Sequence, residues 1–264
     1  VITPQVFNAK LWEQSGHWQN YREDMFAVSD AVTCCADHAN GVPHDHSSDQ
    51  PVFEQVAEQE VHALKPMNCP AHCLIFGSKA RSYRELPMRI ADFSPLHRNE
   101  ASGSLSGLTR VRRFHQDDAH IFCSEESVKA EILATLDFMG TVYDRLKLPF
   151  NLTLATRPDN FIGDVGLWDR AEADLHDAIA AFNGPVEVAV DPGGGAFYGP
   201  KIDVKVTDAM KRQHQCATVQ LDFQLPRRFD LSYADSDGQK RTPVMIHRAL
   251  FGSVERMMAI LMEH

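Results

Sequence analysis

Three short stretches of alternating apolar residues in the second half of the chain, with short connections between them, constrain the fold most. They are 186–190, 202–206 and 217–223. Alternation with a period of two is typical of strands that bury one face. Parallel strands need a crossover of about a dozen residues, usually a helix, and these connections are too short to contain one. We therefore predict that the three strands pair as an antiparallel meander.

Other segments have the three- and four-residue apolar spacing of amphipathic helices. The clearest is 125–146, with Ser124 as candidate N-cap. Further helices are predicted over 167–182 and from Ala249 to the end, and a further strand over 150–154. Together these elements predict an α+β fold, with a central antiparallel sheet flanked by helices.

Composition excludes several classes of protein. The 264 residues carry a formal net charge of −10, so a general nucleic-acid-binding surface, which would be basic, is not expected. No apolar run approaches the ~18 residues of a membrane span. The six cysteines are too scattered for a disulfide scaffold, which favours a reducing, cytoplasmic location. No signal peptide is visible at Val1, and the abrupt start suggests part of a longer protein.

The segment from about 30 to 63 differs from its surroundings. Paired cysteines and three histidines lie among Gly, Pro, Ser and Asp, followed by several glutamates. We interpret it as a loop followed by a short acidic helix. A metal site is one possibility, but the spacing matches no familiar zinc pattern. A surface insertion is the simpler interpretation.

The stretch 98–122 concentrates positive charge in an acidic chain. Its four arginines, Arg98, Arg110, Arg112 and Arg113, surround a loop rich in Gly and Ser. Arginine binds phosphate oxygens in bidentate fashion, and small residues allow close backbone approach to a ligand. The pattern predicts a nucleotide site; the alternative is a solvated charged hairpin.

Several strings resemble a known family. His97-Arg98-Asn99-Glu100 resembles the second motif of class II aminoacyl-tRNA synthetases, and 247–261, with Gly252 and Arg256, resembles their third. Within the class, KPMNCPAH at 65–72, GAFYGPKI at 195–202 and QCATVQLDF at 215–223 resemble the threonyl-tRNA synthetase family. The resemblance covers nearly the whole chain apart from about 30–63.

The resemblance implies a zinc site at Cys69, His120 and His247, which occupy the family's ligand positions. Their spacing alone predicts nothing, because such residues are most often unrelated core or surface side chains. Three protein ligands would leave a coordination position open, which is typical of a catalytic site. The resemblance implies that threonine's amine and hydroxyl bind there.

The resemblance also implies an ATP site, with Mg²⁺ accompanying the nucleotide. Arg98 would contact the α-phosphate and the threonine carboxylate, and Arg110 and Arg256 the γ-phosphate. The alternatives are an Arg98–Glu100 salt bridge, a surface position for Arg110, and an ion pair of Arg256 with Glu255 or Glu263. Glu100 would contact the adenine amino group and Phe114 would stack on adenine; otherwise Phe114 is a core aromatic.

The remaining implied site residues concern threonine and transfer. Asp118 would accept from the threonine hydroxyl, Gln116 would contact the amino acid and Tyr198 its amine; for Asp118 and Gln116 the alternative is hydrogen bonding within the sheet. Lys201, Gln215 and Gln220 would line the same cavity, and Met67 would form its wall. Lys201 and Gln215 are expected to be catalytic, together with Arg98 and Arg256, and Gln215 also to contact ATP. His17 is assigned either a role in acyl transfer or a structural one.

The implied reaction is formation of threonyl-adenylate from L-threonine and ATP, followed by transfer to the 3′ end of tRNA(Thr). We expect residues 1–264 to form one catalytic domain, without editing or anticodon-binding domains, in a protein that dimerises when complete. A mitochondrial form is also compatible with the sequence. Rival interpretations are a seryl or prolyl enzyme of the same class, or a non-catalytic synthetase-like protein that binds tRNA.

Overall fold

The computed structural model describes residues 1–28, 61–184 and 186–264. The metal-site and surface-insertion interpretations of 30–63 fall mostly outside these residues; His62 and Ala63, at its end, lie in a strand. The helices are α1 Ala9–Ser15, α2 His17–Tyr21, α3 Cys69–Gly77, α4 Val128–Leu146, α5 Val165–Ala181, α6 Leu225–Arg228 and α7 Val254–Glu263. The strands are β1 Val6–Asn8, β2 Ala27–Val28, β3 His62–Leu64, β4 Arg81–Ser82, β5 Met88–Asp92, β6 Pro95–His97, β7 Arg113–His115, β8 Asp118–Cys123, β9 Phe150–Ala155, β10 Val188–Asp191, β11 Lys201–Thr207, β12 Gln213–Asp222, β13 Tyr233–Ala234, β14 Lys240–Arg241 and β15 Val244–Ala249.

Within the described residues, seven strands form the central sheet in the order β10-β9-β11-β12-β15-β8-β5. Every neighbouring pair is antiparallel except β10 and β9. The predicted α+β class with a central antiparallel sheet is therefore confirmed. A separate short pair, β6 with β7, carries part of the arginine-rich segment.

The two long helices cover one face of the sheet. Apolar residues of α4 and α5, such as Leu136 and Leu175, pack in one cluster with Ile202, Val219 and Ile246 from the strands. Because side chains alternate along a strand, the polar residues between these apolar ones project from the opposite face. The helices therefore build the core and leave the other face available for chemistry.

The meander prediction is wrong for its first strand. The hairpin of β11 and β12 forms as expected, but β10 pairs in parallel with β9 at the sheet edge. Helix α5 lies between β9 and β10 in the chain and provides the long crossover that parallel pairing requires. Strand β11 then pairs with the other side of β9.

The predicted start of the last helix is also wrong. Ala249 ends β15, and α7 begins at Val254 with Ser253 as its N-cap. Between them the carboxylate of Asp117 accepts hydrogen bonds from the backbone N–H groups of Leu250, Phe251 and Gly252, at 2.7, 3.0 and 3.1 Å. This long-range contact stabilises a turn where periodicity alone suggested helix.

Helices α4 and α5 match their predictions closely, with one difference at the start of α4. A 3₁₀ turn, Glu125–Ser127, precedes α4, and no side chain caps it. The Ser124 hydroxyl lies 3.0 Å from the Ser127 hydroxyl instead of bonding a helix N–H. The capping role predicted for Ser124 is therefore not realised.

Candidate functional site

A row of polar residues crosses the sheet face opposite the long helices. Strand register places Lys201 beside Gln220, Gln220 beside His247, and His247 beside His120. Side chains directly opposite one another in antiparallel strands share a face, with Cβ atoms about 5 Å apart. The register of four strands therefore gathers residues that are distant in the chain.

The three predicted metal ligands meet at one end of this row. One ligand atom each from Cys69, His120 and His247 lies within 4.8 Å of the other two, and all three residues are buried. Cys69 begins α3, whereas the histidines lie on β8 and β15. A thiol and two imidazoles are donors typical of a zinc site, so the residues form a candidate metal site.

Hydrogen bonding fixes the orientation of one ligand ring. Nε2 of His247 lies 2.9 Å from Oδ2 of Asp222. Because the carboxylate accepts, Nε2 carries the hydrogen and Nδ1 presents its lone pair. That lone pair faces Nε2 of His120, 3.0 Å away. The arrangement of donors in this structure therefore fits a bound cation.

Burial controls the charge of the other two ligands. It raises the pKa of the Cys69 thiol well above its usual value, and nearby Asp118 adds to the effect. Burial lowers the pKa of His120 well below its usual value, with further contributions from His247 and His72. A thiolate at this position would need a cation beside it, as metal coordination supplies.

Polar groups surround the candidate metal site. Asn68 Nδ2 donates to Asp118 Oδ2 at 3.0 Å, and burial raises the pKa of Asp118 to about 6. The Tyr198 ring lies 5.4 Å from the His247 ring, between centroids. Gln220 Nε2 donates to the Gly199 carbonyl at 3.2 Å. These side chains could bind a small polar ligand from several directions.

All but two of the predicted site residues line one cavity of about 660 Å³. Those lining it are Met67, Cys69, Arg98, Glu100, Arg110, Phe114, Gln116, Asp118, Tyr198, Lys201, Gln215, Gln220, His247 and Arg256. A larger groove of about 1210 Å³, beside Tyr143 and Phe182, contains none of them. The chemistry favours the smaller cavity, because it combines arginines with the candidate metal ligands.

Arg98 and Arg256 are available to a ligand in this cavity. The Arg98 guanidinium lies 5.0 Å from the centre of the Phe114 ring, within cation–π distance. Arg256 donates to the carbonyls of Thr109 and Gln215, both at 2.8 Å. Neither hydrogen bond involves a carboxylate, so the positive charge of Arg256 can serve a bound anion.

The structure decides between some of the alternatives. Glu100 forms its salt bridge with Arg110, at 2.7 Å, and not with Arg98. The two acids considered for Arg256 pair elsewhere: Glu255 with His115 and Glu263 with Arg212. Phe114 is buried, as expected of a core aromatic, and it also lines the cavity.

His17 and His120 are the two residues that do not line the cavity. His120 is fully buried beneath it as a candidate ligand. His17 is also buried, with Nε2 lying 3.2 Å from the Met67 sulfur and Nδ1 2.8 Å from the Ser15 hydroxyl. Burial lowers the pKa of His17 to about 4. Met67 therefore separates His17 from the cavity.

Sequence reasoning missed several acidic and polar residues of the site. Asp203 accepts from Lys201 Nζ at 2.5 Å and from Gln215 Nε2 at 2.6 Å. Asp222 holds His247, and Asn68 holds Asp118. Asp203 and Asp222 each lie two positions after a predicted site residue on a strand. That spacing places them on the same face and was the available signal.

Comparison with protein families matches residues 53–264 to the model described as tRNA synthetase class II core domain (G, H, P, S and T). The chain is 54% identical over 266 residues to a probable cytoplasmic threonine–tRNA ligase 1 of Dictyostelium discoideum, covering 100% of the chain and 33% of that protein. It is 52% identical over 265 residues to the human cytoplasmic threonine–tRNA ligase 1, with the same coverage. The chain thus spans about a third of the length of these relatives.

Solved structures are also similar. One, described as the RNA binding domain of threonyl-tRNA synthetase from Cryptosporidium parvum, superposes with a TM-score of 0.86 at 46% identity, covering 100% of this chain and 59% of that one. A Giardia lamblia prolyl-tRNA synthetase shares the fold, at a TM-score of 0.68 and 18% identity, over 100% of this chain and 42% of that one. Among the described residues, no helix has the length and apolar character needed to span a membrane.

Proposed function

Because this chain belongs to the family of class II tRNA synthetase core domains, we propose that it is the catalytic core of a threonine–tRNA ligase. The observation that carries the proposal is the meeting of two sets of residues in one cavity. Two of the metal-ligand candidates, Cys69 and His247, line the same space as Arg98 and Arg256. Amino-acid selection and phosphate binding would then take place side by side.

The selection of threonine is proposed to depend on the Cys69, His120 and His247 site. When bound there, Zn²⁺ would supply a Lewis acid that takes the amine and hydroxyl of the amino acid. Asp118 accepts from the same hydroxyl, and Tyr198 and Gln116 contact the amino acid, with Gln220 and Met67 as walls. Valine, which leaves these polar groups unpaired, would be rejected by about 10⁴-fold, and serine, which lacks one methyl, by about 10–200-fold.

Activation of threonine is proposed to depend on positioning and charge. A carboxylate oxygen of threonine attacks the α-phosphorus of ATP, and the bond to pyrophosphate breaks. Arg98 neutralises the α-phosphate and aligns the carboxylate, while Arg256 and Arg110 hold the γ-phosphate. Mg²⁺ accompanies the ATP. Phe114 and Glu100 hold the adenine. No protein nucleophile is required, because alignment and charge neutralisation carry this kind of step.

Two polar residues are proposed to assist from the sheet. Asp203 accepts hydrogen bonds from both Lys201 and Gln215, so it orients their side chains on the cavity floor.

The second step of the proposed reaction is transfer to tRNA, in which a ribose hydroxyl of the terminal tRNA adenosine attacks the threonyl carbonyl and releases AMP. His17 is proposed to act in this step. Its position behind Met67 requires that residue to shift when tRNA binds.

The proposal extends to the whole protein. We propose a cytoplasmic enzyme that acts on ATP, L-threonine and tRNA(Thr), with residues 1–264 as a single catalytic domain. We also propose a homodimer for the complete protein. Apolar residues near the amino terminus support a partner face, since Ile2 is 87% exposed and nearby Phe93 is 58% exposed.

The test is ATP–pyrophosphate exchange catalysed by the 264-residue chain with threonine, serine or valine, before and after zinc removal by a chelator. Threonine should drive exchange, serine weakly and valine barely, and added Zn²⁺ should restore activity lost to the chelator. Exchange driven equally by serine would overturn the choice of amino acid. Threonine-driven exchange that persists without zinc would overturn the role of the metal site.

A further inference from the structure

A third histidine contacts one of the candidate metal ligands, His120, on the side that faces away from the metal site. His72 lies on α3, three residues after Cys69, and is completely buried. Its Nδ1 lies 2.6 Å from Nδ1 of His120, the nitrogen that faces away from the site. His72 therefore contacts a ligand ring on the side where a hydrogen bond determines which nitrogen is free to coordinate.

Two arrangements of hydrogens satisfy these contacts. In the first, His120 donates from Nδ1 to His72 and presents the lone pair of Nε2 to the site. In the second, His72 donates to His120, and His120 donates from Nε2 to His247. Only the first leaves His120 able to bind a metal, because a protonated ring nitrogen has no lone pair for coordination.

The far side of His72 favours the first arrangement. Within the described part of the chain its Nε2 has no hydrogen-bond partner, and Oδ2 of Asp92 lies 4.0 Å away. A carboxylate attracts an N–H and repels a lone pair, so the hydrogen of His72 is favoured on Nε2. Nδ1 then carries the lone pair that accepts from His120.

Asp92 is itself held firmly. It is fully buried and accepts from the backbone N–H groups of Thr3 and Ser94 and from both of their hydroxyls, and Lys65 Nζ lies 3.7 Å away. Although burial opposes ionisation, the hydrogen bonds from Ser94 and Thr3 lower the pKa of Asp92 to about 2. The carboxylate therefore remains an acceptor facing His72.

We propose that His72 is a positioning residue for the metal site: directed by Asp92, it accepts the Nδ1 hydrogen of His120 and so holds the Nε2 lone pair toward the metal. This inference rests on the proposed function, because it assigns a role to His72 only if the site binds a metal. It makes α3 contribute twice to the site, through the Cys69 ligand and through the orientation of a second ligand.

The test compares Zn²⁺ affinity, measured by competition with a chromophoric chelator, for wild type, His72→Leu and His72→Asn. The leucine variant loses the acceptor and should bind Zn²⁺ about 10–100-fold more weakly. The asparagine oxygen can accept from His120, so that variant should retain affinity closer to wild type. His176→Leu, which removes an exposed histidine on α5, should leave affinity unchanged.

The possible outcomes separate this inference from the proposed function. Wild type that binds no Zn²⁺ would remove the metal site and the inference together. Wild type and His72→Leu with equal affinity, or leucine and asparagine variants weakened equally, would overturn the inference alone. If the leucine variant does not fold, the histidine ring ¹⁵N spectrum of zinc-free wild type decides: a hydrogen on Nδ1 of His120 supports the inference, and one on Nε2 overturns it.

Discussion

His120 and His247 lie directly opposite each other on neighbouring antiparallel strands, with Nε2 of the first 3.0 Å from Nδ1 of the second. Both rings therefore project from interior strands of the sheet, whereas the Cys69 thiol approaches from the start of a helix. Ligands on strands are held more precisely than ligands on loops. A metal bound here would thus keep a fixed position relative to the arginines of the cavity.

His247 should be essential both for zinc binding and for activity. His247→Ala removes one of three ligands and the partner of Asp222, so we expect loss of bound Zn²⁺ and a fall in threonine-dependent exchange of about 10²–10³-fold or more. Zinc content and pyrophosphate exchange measure the two effects. Arg98→Ala is the matched comparison: this variant should lower threonine-dependent exchange by a similar factor but retain its bound zinc. A His247→Ala variant that exchanges at the wild-type rate would contradict the site.

Gly252 should tolerate no side chain. Its φ is +64°, and a Cβ there would lie 2.1 Å from the Cys216 carbonyl oxygen. Gly238 has a similar φ of +78° but open space around it, which makes Gly238→Ala a control for backbone strain alone. We expect Gly238→Ala to lower the free energy of unfolding by about 1 kcal/mol, and Gly252→Ala by clearly more. Equal values in urea denaturation would show that the close approach is unimportant.

The three hydrogen bonds accepted by Asp117 should stabilise the turn before the last helix. Asp117→Ala leaves the N–H groups of Leu250, Phe251 and Gly252 without this acceptor, and we expect a loss of about 3 kcal/mol or more in unfolding free energy. Asp117→Asn keeps one acceptor oxygen and should be intermediate. Asp144→Ala, at an exposed position of α4, should have no measurable effect. If alanine and asparagine variants are equally stable, the shared carboxylate is not the stabilising element.

Asp92 should contribute stability that depends on pH. Its folded-state pKa of about 2 lies below the ordinary value of 3.8, so its contribution is complete above pH 4 and is lost as pH falls toward 2. The groups that face it are Lys65, the hydroxyls of Thr3 and Ser94, and His72. The stability difference between wild type and Asp92→Asn, from urea denaturation, should therefore shrink between pH 5 and pH 2.5. A difference that stays constant over that range would contradict the lowered pKa.

Local patterns accounted for α4, α5, α7 except for its start, and four of the seven strands of the central sheet, whereas β5, β8 and β15 were not predicted. The apolar spacing of 125–146 and the alternation of 202–206 and 217–223 lead directly to α4, β11 and β12, since each signal comes from neighbouring residues. The strand at 186–190 was recognised but paired wrongly. Alternation identifies a strand but not the strand it pairs with. Here β10 pairs with β9, because α5 provides the crossover between them.

The site residues likewise divide into those identified by local sequence motifs and those identified only by the tertiary structure. The motifs around Arg98, Tyr198 and Arg256 identified residues that line one cavity, because each motif is a contiguous string. The acids Asp203 and Asp222 carry no motif of their own; their roles follow from which side chains lie next to them on a shared strand face. Short-range polar contacts of this kind can be read only after the strands are placed.

By itself, the sequence predicted the two long helices, four strands of the central sheet and the α+β class, and through its family motifs it nominated the side chains proposed to bind phosphate and metal. The helices and strands follow from residue type and from spacing within a few positions, whereas the candidate ligands follow only from the family resemblance. Only the tertiary structure decided that Cys69, His120 and His247 meet, although His120 and His247 are 127 residues apart. Strand register sets that contact, and register depends on burying one face of the whole sheet beneath α4 and α5.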